Sequence, residues 1–562
     1  MSSRTHHTFL YLIINPLHNK MRADNVVDCH VLVIGSGGAG VRAAIEAAPY
    51  GETVLISKTI VGKGGCTTMA EGGYNAVLRQ QDSCTSHYED TLKGGAYLNE
   101  PALVRALVEE SPDRLADLLA WGAVFDMEDM TELAQRPFGG QRFPRTCYAG
   151  DRSGHEMMMT LVSRLALTDV TVMQEVTVVE LLKDGDRVAG AIALDQNGEM
   201  LLIRADSTVI ATGGGSRIYD ISTNSSSGTG DGYALGYRAG AELIDMEMVQ
   251  FHPTGAVYPY DARGRLVTEA VRGEGGYLIN SMGERFMDSY DPERMELSTR
   301  DVVARAIATE VLEARGTTHG GVYLDVTHLP AAQIELRLPV MLEQFLLYGV
   351  DIRKDPIEVA PTAHHFMGGL RITPDCQTTL PGLFACGESS GGVQGANRLG
   401  GNALAETQVF GRRAGLSAGL ATVRKHAIDP AQVEAQEARL EQFRKGTSLP
   451  SEVSHRLQKV MWDGAGIFRT AAELQETRET VADLARIPLR AVSVQNLVEC
   501  CTVQNMCLTA SLVIRGALLR NESRGAHLRK DVEQDWTPKH SPFGHTFLSL
   551  AGEGIERREV PV

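Results

Sequence analysis

An unbroken apolar run at residues 31–34 (Val-Leu-Val-Ile) meets a glycine-rich turn, and small apolar residues interleaved with charge follow at 41–48. A short apolar run bounded by turn residues predicts a buried strand, and the stretch after it predicts a helix. The texture recurs downstream. Residues 53–57 predict a second strand, residues 206–210 a strand ending in three glycines, and residues 229–236 a helix opening after an acidic turn. A further strand at 382–388 ends on a glycine turn, and residues 401–410 read as the helix after it.

Strand and helix signals alternate from about residue 28 to 245. Between 246 and about 360 the pattern changes to loops, prolines, charges and isolated His and Arg residues in short motifs. Beyond about residue 430, helical patterns take over at 434–443, 471–487 and 493–519, and the tail from 536 is polar and short-stranded. No internal repeat is present. This order predicts an α/β chain in which a Rossmann-like dinucleotide domain is interrupted by an α+β cap and followed by a helical domain. The expected divisions are a disordered extension at 1–26, dinucleotide-binding segments at 27–245 and 361–425, and a capping domain at 246–360. A helical domain follows at 426–535 and a tail at 536–562. The start of translation is open between Met1 and Met21.

Composition narrows the function classes. A formal charge of −16 with no basic block argues against a nucleic-acid binder. The 58 glycines exceed the usual share of about 7% and fall mostly in doublets beside apolar strands, as ligand-hugging loops do. No run reaches the apolar length of a membrane span, and residues 9–14 are too short and are followed by Asn15-Pro16. Nine cysteines without a C-x-x-C pair fit reduced thiols in a cytoplasmic protein. Cys500, Cys501 and Cys507 match no common iron–sulfur spacing and read as helix-core thiols, so no metal site is expected in this chain.

The first glycine turn is Gly35-x-Gly37-x-x-Gly40. Gly35 permits the tight turn, Gly37 lets the backbone approach a pyrophosphate, and Gly40 lets the helix pack closely on the strand. At the end of the second strand, where a nicotinamide-binding fold usually places an acid for the ribose, stand Ser57 and Lys58. The usual NAD signature is absent, so FAD becomes the better expectation, which later segments decide.

Seven ordered motifs carry a resemblance. They are Gly65-Cys-Thr-Thr-Met-Ala-Glu-Gly-Gly73, Phe251-His-Pro-Thr-Gly255, Thr268-Glu-Ala-Val-Arg-Gly-Glu-Gly-Gly276 and Met295-Glu-Leu-Ser-Thr-Arg-Asp301. Pro361-Thr-Ala-His-His-Phe-Met-Gly-Gly369, Gly395-Ala-Asn-Arg-Leu-Gly400 and Glu522-Ser-Arg-Gly-Ala-His527 complete the set. Together they resemble the flavoprotein subunit of fumarate reductase and succinate dehydrogenase over residues 27–550, closest to the soluble thiol-linked fumarate reductase type. The resemblance implies interconversion of fumarate and succinate on FAD, with fumarate reduction favoured. It also implies that the partner is a separate iron–sulfur subunit, and that the chain is cytoplasmic or held peripherally on the inner membrane face through partner subunits.

By that resemblance Arg300 is the proton donor, with Glu269 and Arg272 as the relay that supplies it. His252, counted with these among the catalytic residues, also binds the substrate carboxylates with Thr268, His364 and Arg398, beside Phe138. A dicarboxylate needs cationic or hydrogen-bonding groups at both ends, which this set provides. The cofactor positions carried over are Gly35, Gly37, Gly38, Ala39 and Gly40, then Ser57 and Lys58, then Gly65, Cys66, Thr67, Ala70, Glu71, Gly72 and Gly73. Ala211, Thr212, Gly213, Asp231, His365 and Glu388 continue the set, which closes with Arg398, Gly401, Asn402, Ala403 and Leu404.

Cys66 stands where membrane-bound members of the family carry a flavin-linked His, so FAD is expected to bind noncovalently and at a lower potential. L-aspartate oxidase is the alternative reading. Met461-Trp-Asp463 and residues 300–306 are similar to that enzyme, whereas Phe138-Gly-Gly140, Arg145-Thr146, Thr362-Ala-His364 and residues 396–400 are closer to fumarate reductase.

Overall fold

The computed structural model describes residues 25–423, 427–533 and 537–558. Residues 1–24, with most of the expected extension and both candidate start methionines, lie outside the described residues, as does the 425/426 division.

The first strand, β1 (Val26–Ile34), is fully buried over its last five residues and feeds helix α1 (Gly38–Ala47). It lies parallel to β2 (Thr53–Ser57), and β2 lies parallel to β3 (Thr171–Gln174). An antiparallel hairpin, β4 (Thr177–Asp184) and β5 (Arg187–Leu194), leads to β6 (Met200–Ile210), which returns parallel to β1 along its whole length. The sheet order is β3-β2-β1-β6-β5-β4. Because β1, β2 and β6 run parallel, their carboxyl ends and the loops after them gather at one edge, where an open α/β sheet binds ligands. Helix α2 (Asp231–Ala239) and the short strand β7 (Leu243–Ile244) follow.

The chain then leaves this sheet. Strand β8 (Val249–Tyr258), helix α3 (Glu269–Gly273), β9 (Tyr277–Ile279), helix α4 (Arg300–Leu312), β10 (Val322–Asp325), helix α5 (Pro339–Leu347) and β11 (Ile357–Phe366) follow in order. Their strands form a second, antiparallel sheet in the order β8-β11-β10-β9. This layer has its own apolar cluster, including Val271, Val303, Ile307, Leu324, Phe345 and Val359. Strand β11 is continuous through residue 360, so it carries residues of both the cap and the segment after it.

After β12 (Gly369–Leu370), strand β13 (Leu383–Ala385) rejoins the first sheet, parallel to the end of β6. It adds a fifth carboxyl end to the same edge, after those of β1, β2, β3 and β6. Helix α6 (Asn402–Gly419) then packs on α1.

Helices α7 (Pro430–Gln442), α8 (Pro450–Gly464), α9 (Ala471–Arg486) and α10 (Val494–Leu519) form the helical region. Their core residues, among them Leu457, Leu474 and Val513, belong to the same apolar cluster as Val33 and Ile210. Helix α10 is long and apolar enough to cross a membrane by length and composition, and 67% of that apolar stretch is buried inside the protein. Cys500, Cys501 and Cys507 are buried on it, as helix-core thiols. The tail forms a hairpin, β14 (Phe543–Ser549) and β15 (Gly552–Arg557), whose first strand pairs with β7.

Candidate active site

A cavity of about 680 Å³ lies between the first sheet's carboxyl edge and the cap. Gly35 turns the chain at φ +109°, and a Cβ there would stand 2.3 Å from the Ala211 carbonyl oxygen. A Cβ at Gly40 would stand 1.8 Å from the Gly35 oxygen, so only glycine lets α1 approach β1 this closely. Gly37 opens on the cavity, its nearest neighbour being Thr67 Oγ1 at 3.6 Å from a Cβ position. With Gly38 and Ala39 it places the N-terminus of α1 at the cavity wall, where backbone N–H groups and the helix dipole favour an anion.

Most of the expected cofactor positions line this cavity. Ser57 and Lys58, the 65–67 and 70–73 loop, Ala211 to Gly213, Asp231, His365, Glu388, Arg398, Gly401, Ala403 and Leu404 are all on its wall. Lys58 is already committed, donating to Asp231 Oδ2 at 3.0 Å and to Thr502 Oγ1 at 2.8 Å. Gly40 and Asn402 are not on the wall. Gly40 faces the strand behind it, and Asn402 spends its amide on Asn75, His87 and Thr91, which locks the start of α6.

A dinucleotide fits this wall. The glycine cradle is open where a pyrophosphate would approach, and Glu71 Oε2 and Arg398 Nε are buried polar atoms without a protein hydrogen-bond partner. Glu388, raised to about 7 by burial, accepts the Phe366 N–H at 2.9 Å. Desolvation, with Glu388 adding to it, pushes the Cys66 thiol up to about 12.

The cationic set converges at the cap end of the same cavity. Strand β8 presents His252, β11 presents His364 and His365, the N-cap of α3 is Thr268, and Arg300 opens α4. Phe138, Thr268, Glu269, Arg300 and Arg398 also line it. The His252 and His364 rings lie 5.0 Å apart, and both are held well below the usual imidazole range by burial and neighbouring arginines. The Thr254 N–H donates to His252 Nδ1 at 3.2 Å. A neutral His252 therefore carries its proton on Nε2 and offers it as a donor. Thr223 Oγ1 lies 2.7 Å from His364 Nδ1, and Asn224 donates to the His364 carbonyl at 2.6 Å.

Glu269 Oε2 accepts from Arg300 Nε at 2.9 Å and from Nη2 at 2.8 Å, while Oε1 accepts the Gly139 N–H at 2.9 Å. Arg272 Nη2 is 3.9 Å from the same Oε2. Arg272 is fully buried behind Glu269 and does not reach the cavity wall. Arg300 and Arg272 outweigh desolvation and hold the Glu269 carboxyl down at about 2. Burial and the like charge of Arg300 lower Arg398 to about 9.

Gln250, Thr223, Asn224 and Thr254 were absent from the sequence candidates. The alternation of β8 was the available signal for Gln250. It lies two residues before His252, whereas Phe251 between them turns into the core against Tyr219 and Trp462.

Comparison with known proteins agrees with this geometry. The "FAD binding domain" family matches residues 30–404 and the "Fumarate reductase flavoprotein C-term" family matches residues 454–549. The chain is 52% identical over 522 residues to a fumarate reductase (CoM/CoB) subunit of Methanothermobacter marburgensis, covering 90% of this chain and 95% of that one. It is 38% identical over 539 residues to a mitochondrial succinate dehydrogenase (ubiquinone) flavoprotein subunit of Xenopus laevis, covering 89% and 80%. A solved structure of a mutated E. coli quinol fumarate reductase superposes with a TM-score of 0.89 at 34% identity, covering 96% of this chain and 97% of that one. The chain belongs to the family of fumarate reductase and succinate dehydrogenase flavoprotein subunits, and FAD is its cofactor.

Proposed function

We propose that this chain interconverts fumarate and succinate, working mainly as a fumarate reductase, as the flavoprotein subunit of a larger enzyme. The observation that carries the reading is the cationic lining beside His252 and His364: Arg300 and Arg398 lie on the cavity wall, and Arg272 is buried behind Glu269. The one carboxylate among the proposed substrate and relay residues, Glu269, is spent on Arg300. Such a site suits a dianion. An L-aspartate ammonium would meet like charge, at a cost of about 1–4 kcal/mol at close range in a partly screened pocket.

The N-terminus of α1, the 65–73 loop, Glu388 and residues 401–404 would hold the FAD, which supplies the hydride equivalent. The protein's part is binding and proton supply. His252 and His364, both neutral, hydrogen-bond substrate carboxylates together with Thr268, and Arg398 grips one through its guanidinium. Arg398 and Arg300 stabilise the negative charge that develops on the substrate as its double bond is reduced. Arg300 gives a proton to the second alkene carbon. Glu269 Oε2, touching Arg300 and facing Arg272, is the path by which that proton is replaced.

The high Cys66 thiol favours noncovalent FAD, because the thiolate rather than the thiol is the nucleophile. The relatives are flavoprotein subunits of larger enzymes, which supports a separate iron–sulfur subunit as the route by which electrons would reach the flavin. Capping by residues 246–360 would close the cavity over the substrate. Product analysis tests the reading. Fumarate given with a chemically reduced dye should yield succinate as the sole product, and failure to form succinate would refute it.

A further inference from the structure

Gln250 is fully buried on β8, and its side-chain amide lies between the two arginines that the functional reading uses. Its Oε1 accepts from Arg300 Nη1 at 3.3 Å and from Arg398 Nη2 at 3.2 Å. Its Nε2 donates to Asn397 Oδ1 and to the Arg398 carbonyl, each at 2.8 Å. Asn397 in turn donates from Nδ2 to Asp301 Oδ1 at 2.9 Å. That last bond fixes which end of the Asn397 amide is oxygen, and so fixes the orientation of the Gln250 amide as well. The chain of contacts ties the start of α4 in the cap to the Asn397-Arg398 segment of the dinucleotide domain.

Two guanidinium groups held this close repel each other and would drift apart unless a shared acceptor held them. A carboxylate could serve as that acceptor, but it would cancel the charge that a substrate carboxylate needs. An amide oxygen holds both arginines and leaves their charge in place. We infer that Gln250 is a positioning residue that sets the spacing of the proton donor Arg300 and the carboxylate grip Arg398 without neutralising either.

The inference rests on the dicarboxylate reading, and the test separates the two. The FAD-loaded protein is titrated with malonate, a dicarboxylate that cannot be dehydrogenated, and binding is followed by the perturbation of the flavin spectrum. If the wild type does not bind malonate, the functional reading fails before any variant is read. Gln250→Glu keeps an acceptor but cancels charge, so its malonate affinity should fall by about tenfold or more, with FAD content unchanged. Gln250→Met keeps the charge but loses the bridge, so turnover with fumarate should fall by about tenfold or more while malonate affinity falls several-fold less than turnover does. This opposite split is the expected result. Affinity and turnover near wild type in both variants would overturn the inference, and so would equal losses of both quantities in both variants. If Gln250→Glu fails to hold FAD, the near-isosteric Gln250→Met decides alone by the same split.

Discussion

Glu269 Oε2 receives two N–H groups of Arg300, from Nε at 2.9 Å and Nη2 at 2.8 Å, and the pair is almost wholly buried. Arg300 opens α4, where the helix dipole disfavours a cation, and the carboxylate offsets that. The pair fixes the guanidinium on the cavity wall and links it to the buried Arg272. An arginine can act as an acid only where its lost proton is promptly replaced, and this contact is the route that the proposed relay would use.

Arg300→Lys should lower turnover by about a hundred- to ten-thousand-fold while FAD stays bound and dicarboxylate affinity changes much less. Steady-state rates and flavin content of the purified variant check this. Turnover near that of the wild type would remove Arg300 from the proton path and leave His252 or His364 as the acid.

Glu269→Gln removes the relay's charge and keeps its shape. Turnover should fall by about a hundredfold or more. Dicarboxylate affinity should be no weaker than in the wild type, because a negative charge has left a cationic site. Loss of affinity without loss of turnover, measured by spectral titration and dye-linked rates, contradicts the relay.

All flavin should appear in the supernatant when the protein is precipitated with acid. By the family resemblance Cys66 stands in the place of the flavin-linked His, and burial pushes its thiol up to about 12. Flavin fluorescence that stays with the denatured polypeptide on a gel would show a covalent bond and reverse this assignment.

Acidification should destabilise the protein below pH 6.5. Burial and nearby arginines hold His252 and His364 well below the usual imidazole range, and burial and Arg145 hold His87 at about 4. The unfolded chain binds these protons from about 6.5 downward and the folded one does not, so the stability present above 6.5 is lost as pH falls toward the folded values. For His87 alone the full loss is about 3 kcal/mol. Ring C–H resonances of these histidines that titrate at about 6.5 in the folded protein contradict their neutral, buried state.

The nucleotide half of the site was legible because its chemistry is local. Gly35, Gly37 and Gly40 lie within one turn, and the tight turn at Gly35 and the close packing at Gly40 are visible in the strand–turn–helix geometry. The same locality explains two differences. Gly40 serves helix packing and Asn402 serves the lock on α6, so neither faces the cavity although both sit in motifs that do. The substrate half was legible only as a set of motifs spread over many elements. Its second layer was not. Gln250, Thr223 and Thr254 are ordinary polar residues in sequence: the return of residues 397–398 brings Gln250 to Arg398, a bridge between Ser222 and Ala363 sets Thr223 beside His364, and Thr254 touches a ring only two residues away. Helix α8 was also missing from the expected helices, and its residues Val453, Leu457 and Met461 supply the face that packs into the common core.

The most direct test of the account is the steady-state oxidation of reduced viologen dye by the purified, FAD-loaded chain under anaerobic conditions. The account predicts rapid fumarate-dependent oxidation that the Arg300→Lys variant lacks. No fumarate-dependent oxidation, together with brisk oxygen-dependent conversion of L-aspartate to iminoaspartate, would contradict it.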